Sequence, residues 1–164
     1  MFKIKKIISG GQTGVDRGAL EAAIELGMNV GGWCPPDREA EDGRIPDDLP
    51  IKETPNECSN IALGVPRSLR TEWNVRDSDA TLVFVPDRDC KMDSGTEWTI
   101  RFCIQLNKPF LICEIKEVNT LRNITDWLVT VKPEILNVAG PGENLAPGIQ
   151  EASKVLITKL LKIY

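Results

Sequence analysis

The segment Ser9-Gly10-Gly11-Gln12-Thr13-Gly14 is the part of the chain whose residue types best suit a ligand. Glycines remove side chains and permit positive φ, so backbone N–H groups can approach an oxyanion. A helix that follows such a loop adds its N-terminal partial positive charge. Phosphate is the natural guest, although a tight turn that needs glycine has the same composition. The loop lacks the Gly-Lys-Ser/Thr of a P-loop and does not fit G-x-G-x-x-G, so it supports neither an NTPase nor an ordinary dinucleotide fingerprint. Asp16 falls in the first helical turn. There it either hydrogen-bonds a sugar hydroxyl or ring nitrogen of the ligand or is stabilised by the helix dipole alone. Arg17 beside it pairs with phosphate or faces solvent.

Two other glycine-containing polar stretches have the same character. In Asp93-Ser94-Gly95-Thr96-Glu97, Gly95 and Thr96 open a helix and repeat the anion-binding arrangement. Ser94 also fits an N-cap, with Glu97 completing a capping box. Gly140-Pro141-Gly142-Glu143-Asn144 is the third stretch. Arg70 and Asn74, spaced i and i+4, share one helix face that lines the rim of a pocket or is solvated. Trp33, Trp73 and Trp98 either stack on a flat heterocycle or pack in the core.

The catalytic inventory is thin. The chain has no histidine, so a serine or cysteine nucleophile lacks its usual base, leaving Asp16, Glu97, Glu114 and Glu143 as candidate general bases. The five cysteines form no CxxC pair, and the common zinc ligand sets that contain histidine are excluded, so no protein metal site is expected. Cys103 and Cys113 lie in apolar segments and read as small buried hydrophobes, whereas Cys34 and Cys90 fall in loops and read as the reactive pair.

These loops need elements to hold them. Lys5 to Ile8 reads as a strand, and Val15 to Leu26 repeats apolar residues at helical spacing, with Gly27 as its C-terminal glycine. Met28 to Trp33 reads as a second short strand. From Cys34 to Pro66 prolines and acids dominate, which predicts an irregular surface excursion that is functional or mobile. Helices are predicted over Arg67 to Asp77, Ser94 to Leu106, Thr120 to Val131 and Ile149 to Ile163. Strands are predicted at Ala80 to Val85, Phe110 to Cys113 and Ile135 to Val138. Near-continuous apolar strands alternating with helices imply an α/β fold, a three-layer doubly wound and mainly parallel sheet of about five strands. In such a sheet the loops leaving the strand C-termini gather along one edge, where ligands bind.

The length of 164 residues, with 41% hydrophobic and 27% charged residues, suits a single domain over residues 1–164. A net charge of -4 gives no general attraction to nucleic acid or to an anionic membrane face. The apolar start breaks at Ser9-Gly10-Gly11, and no apolar run approaches the roughly 20 residues needed to span a bilayer. A cytoplasmic protein with a small-molecule partner, without nucleic acid or membrane, is the expectation; a homo-oligomer is compatible with it.

Gly10-Gly11-Gln12-Thr13-Gly14-Val15-Asp16-Arg17-Gly18-Ala19, Gly31-Gly32-Trp33-Cys34-Pro35, Arg70 to Asp79, and Gly140-Pro141 with Ala146-Pro147-Gly148 resemble the molybdenum cofactor carrier family over nearly the whole chain. The resemblance implies a Rossmann-like fold akin to the lysine-decarboxylase-like, or cytokinin-activating, proteins. It also implies binding of molybdenum cofactor (molybdopterin) or another phosphorylated nucleotide-like ligand. The residues expected to hold the ligand are Gly10, Gly11, Gln12, Thr13, Gly14, Asp16, Arg17, Arg70, Asn74, Ser94, Gly95, Thr96 and Glu97. Enzymatic relatives hydrolyse a nucleoside monophosphate with a G-G-x-G-T-x-x-E motif. Here the glutamate position is Thr99, and an acid stands at Glu97 instead. A binding or carrier role is therefore expected, with a phosphoribohydrolase-like enzyme or a nucleotide-sensing domain as alternatives.

Overall fold

Six consecutive apolar or β-branched residues, Ala80–Val85, are all buried in the computed structural model, which describes residues 3–87 and 89–164. A run buried on both faces belongs inside a parallel sheet covered by helices, and this strand is β7. The preceding elements are β1 (Lys6–Ile8), α1 (Val15–Glu25), β2 (Asn29–Gly31), β3 (Trp33–Cys34), β4 (Glu39–Ala40), β5 (Gly43–Arg44), β6 (Lys52–Glu53) and α2 (Ser68–Arg76). After β7 come α3 (Ser94–Gln105), β8 (Phe110–Glu114), α4 (Thr120–Val131), β9 (Ile135–Ala139) and α5 (Ile149–Leu161).

The central sheet has five strands in the order β2-β1-β9-β7-β8, and every pairing is parallel. The connections from β1 to β2 and from β8 to β9 run one way across it, and those from β2 to β7 and β7 to β8 run the other. Right-handed crossovers must then put α1 and α4 on one face and α2 and α3 on the opposite one. The packing agrees, because α1, α4 and α5 share the main apolar core with the sheet while Val75 of α2 meets Phe102 and Cys103 of α3 in a separate cluster. Counted from β9 instead of β1, the same sheet reads 3-2-1-4-5, the strand order of dinucleotide-binding folds. The strand that other such chains place first is here made last.

Two expectations are corrected. Met28 to Trp33 is not one strand: the central sheet keeps Asn29–Gly31, and Gly32, at φ 129, turns the chain away. A Cβ at Gly32 would overlap the Ser9 carbonyl, so only glycine makes this turn. The excursion from Cys34 to Pro66 is a packed flap over much of its length. In it β3 pairs with β6, β4 pairs with β5, and Cys34, Ala40, Ile45, Leu49 and Ile51 bury themselves against Leu20 of α1. The buried Arg38 holds this layer from within. Its guanidinium donates to the carbonyls of Ile45, Pro46, Leu49 and Ile51 at 2.7–3.3 Å. One pre-organised fork thereby satisfies a backbone too short on regular structure to satisfy itself.

Candidate functional site

Adjacent strands β9 and β7 send their following helices, α5 and α3, to opposite faces, and the sheet edge opens there into a cleft of about 510 Å³. This is the switch point at which open α/β sheets hold ligands. Of the residues singled out in the sequence, Gln12, Asp16, Arg70, Ser94, Gly95 and Thr96 line it together. Gly140 and Gly142 from the loop after β9 complete the floor.

The glycine loop after β1 meets the rest of the protein more than it meets the cleft. Gly14, at φ 86, is the N-cap of α1, and its N–H donates to Gln150 Oε1 at 3.0 Å. The Thr13 N–H donates to the Gln12 side chain at 3.0 Å, and the Val15 N–H to the Pro141 carbonyl at 3.2 Å. A Cβ at Gly14 would strike the backbone of the Gly140 loop, with Gly142 C at 2.7 Å and Glu143 N at 2.8 Å. At Gly11 it would strike Ile51 of the flap. The side chains are committed in the same direction. Thr13 donates to Glu41, and Arg17 pairs with Asp42, its Nη2 lying 3.1 Å from Asp42 Oδ1. Arg17 holds the Asp42 carboxyl below its ordinary range through that hydrogen bond.

The N-terminus of α3 is arranged differently. Asp93, not Ser94, is the N-cap: its carboxylate accepts the Thr96 N–H at 3.0 Å and the Thr96 hydroxyl at 2.7 Å. The predicted capping box is therefore absent, because Glu97 stands one residue too late for it. First-turn amides have no partner inside the helix. Asp93 takes the one from Thr96, and Ser94 and Gly95, which carry the first two amides of the helix, line the cleft.

A buried ion pair crosses the floor. Arg70 Nη1 lies 3.1 Å from Asp16 Oδ2, and the side chains are only 15% and 5% exposed. Gly10 makes this pairing sterically admissible, since a Cβ there would overlap the guanidinium and lie 2.8 Å from Asp16 Oδ2. Burial pushes the Asp16 carboxyl above its ordinary value, outweighing the opposing effect of Arg70 and of the Gln12 N–H. Arg70 Nε is buried and finds no acceptor among the described residues.

The flap supplies what sequence reasoning missed. Glu39, Glu41, Glu57 and Arg67 line the cleft, and Arg67, at φ 62, precedes α2 in a left-handed conformation. Glu41 ties three segments together, accepting from Thr13 and from the Asn144 N–H at 3.3 Å while its own N–H donates to Gln12. Nothing local marks these acids in a segment already rich in acid; the hairpin β4–β5 brings Glu39 and Glu41, and the stretch after β6 brings Glu57.

Other expected residues lie elsewhere. Asn74 is buried and clamps the Trp33 backbone with two 2.9 Å hydrogen bonds. Glu97 is exposed and does not line the cleft, whereas Thr99 is buried and does. Trp33 and Trp73 pack edge to face, Trp98 lies against Phe102, and no aromatic residue lines the cleft among the described residues. Cys34 is fully buried and burial raises its thiol pKa, which corrects the expectation of a reactive group; Cys90 is half-buried. Cys103 and Cys113 are buried, and burial pushes Cys113 up to about 11. No cluster of three or more acidic or cysteine residues is arranged to hold a metal among the described residues. Nor is any described helix long and apolar enough to cross a membrane.

Residues 7–161 match the model of the circularly permutated YpsA SLOG family. The crystal structure of the "Putative molybdenum carrier protein" of Syntrophus aciditrophicus is similar at 35% identity and a TM-score of 0.85, covering 98% of this chain and 96% of that one. A search of curated proteins gave no match.

Proposed function

The chain belongs to the circularly permutated YpsA SLOG family, and from that premise we propose that it binds and carries a phosphate-bearing heterocyclic small molecule in the switch-point cleft, molybdenum cofactor being the candidate cargo. The observation that carries this reading is the juxtaposition in one cleft of anion donors and of carboxylate acceptors. The N-terminus of α3, Arg70 and Arg67 suit a phosphate. Asp16 and the flap glutamates suit the N–H groups along the edge of a pterin or a similar base. A volume of about 510 Å³ accommodates a ligand of that size. Among the described residues the cleft offers no aromatic ring for stacking, so the heterocycle is held by its edges, with Pro66 and Leu145 as apolar contacts. The similarity to the Syntrophus protein, named as a molybdenum carrier, supports a molybdenum-containing cargo.

Titration of the purified protein with molybdenum cofactor tests the proposal. Saturable binding and a raised unfolding temperature are expected. Saturating cofactor that neither binds nor protects the protein would overturn the carrier reading.

One observation favours a second reading, a nucleotide hydrolase: Asp16 is a carboxyl in the cleft that burial inclines to hold its proton, as a general acid must. Thr99 stands against it, supplying no acid where the hydrolases have one. Turnover of a nucleoside monophosphate panel, abolished by Asp16→Asn, would establish it; no turnover dismisses it.

A further inference from the structure

Away from the cleft, α5 and the start of α4 frame a second hollow of about 590 Å³. Its walls open to solvent and mix polar groups, Glu117 and Thr120 among them, with an apolar set: Val118 is 96% exposed, Val155 is 44% exposed, and Ala152, Leu121 and Leu156 are half-buried beside them. Isolated exposed apolar residues are ordinary, but a contiguous set around a groove marks a surface that something covers.

The charges on α5 identify what covers it. Glu151, Val155 and Lys159 are all exposed and stand four residues apart, one row along a single side of the helix. The acid is four residues before the valine and the base four residues after it. A helix rises about 1.5 Å per residue, so each charge lies about 6 Å along the axis from Val155. A two-fold axis through Val155 therefore places Glu151 of one molecule at the level of Lys159 of the other, and the reverse. The pattern is complementary to itself and only in the antiparallel sense. A parallel approach sets acid on acid and base on base.

We infer that this face is the contact between two copies of the chain, an isologous two-fold dimer in which α5 packs against α5 with Val155 at the axis, Glu151 facing Lys159 at both ends and Val118 closing the flanks. Isologous contacts need a patch that complements itself. Rows spaced four residues apart interdigitate with helices crossing at about 50°. The apolar centre excludes water and the two ion pairs set the register. The inference is independent of what the cleft binds.

Sedimentation equilibrium of the full chain over a range of concentrations tests it. A reversible dimer is expected for the unaltered protein. Lys159→Glu places two acids together at both ends and should raise the dissociation constant on the order of tenfold, as should Glu151→Lys. The double variant Glu151→Lys with Lys159→Glu exchanges the partners and should restore the dimer. Val155→Asp should leave monomers with unchanged circular dichroism. Val155→Cys should form an oxidised dimer through the introduced thiol that the unaltered protein does not form. A protein that stays monomeric at every concentration overturns the inference, as does a dimer indifferent to Lys159→Glu and Val155→Asp. A double variant that fails to recover association overturns the antiparallel arrangement and with it the proposal.

Discussion

Two helix N-termini with glycine at or near their start reach the same edge of the sheet, yet they are built for different neighbours. At α1 the amides of Thr13, Gly14 and Val15 are taken by Gln12, Gln150 and the Pro141 carbonyl, and Thr13 and Arg17 hold the flap. At α3 the cap Asp93 takes the Thr96 amide, and Ser94 and Gly95 line the cleft. A glycine permits close approach, but the identity of what approaches is a tertiary property. The loop richer in glycine makes room for protein, and the plainer one faces the ligand space.

The largest expected effect falls on the first loop. Gly14→Ala would force a side chain to positive φ and into the Gly140 loop, costing about 3 kcal/mol or more. Thermal unfolding should show a fall in Tm of roughly 6–12 °C. Gly95→Ala is the counterpart: its Cβ would meet only Asp93 Oδ1, at 3.1 Å, and stability should move by less than about 1 kcal/mol. Equal destabilisation by the two would erase the contrast.

Next in size is Arg38→Met, which leaves four flap carbonyls without their donor and should cost about 2–3 kcal/mol, concentrated locally. Limited proteolysis should then cut between residues 39 and 57 while the loop before α3 keeps its original rate. Ser94→Pro probes the other terminus. Asp93 already has the extended backbone, φ -71 and ψ 162, that precedes proline, and proline is welcome at the first helical position. Tm should hold within about 2 °C, while affinity for a phosphorylated ligand drops roughly threefold to tenfold through loss of one N–H.

The smallest effects are in the pH dependence of stability, and they have opposite signs. Asp42 titrates below its ordinary value, so its pairing with Arg17 contributes above pH 3.8 and is lost as pH falls through the lowered folded-state value. Asp16 titrates above its ordinary 3.8. Between 3.8 and the raised value the folded state binds more protons than the unfolded, so stability falls as pH rises through that window. Relative to Asp16→Asn the unaltered protein should gain stability on acidification; relative to Asp42→Asn it should lose it. Urea unfolding followed from pH 7 to well below 3.8, through the lowered Asp42 range, would show both slopes.

The five helices were legible from helical periodicity, β7 and β8 from their apolar runs, and the three-residue β1 and β2 from the glycines that bound them. Only Gly32 shortened a strand, through a close approach to Ser9 that no local pattern encodes. The flap was illegible for a related reason. Ile45, Leu49 and Ile51 are scattered among prolines with no period, and their order depends on an arginine whose acceptors are backbone atoms. In the cleft, residues next to glycines could be named in advance. Glu39, Glu41, Glu57 and Arg67 could not, because a distant segment folds over to deliver them. Asn74 was misread because its clamp on Trp33 joins residues 41 positions apart.

The position of β9 between β1 and β7 also has a consequence for synthesis. The pairs β2-β1 and β7-β8 leave the ribosome first, yet they share no neighbour until residues 135–139 are made. At about 5–20 residues per second, β1 waits roughly 6–25 s for its inner partner. Late in that interval, once residues 110–114 are made, the nascent chain carries two half-sheets with open inner edges until the last strand joins them.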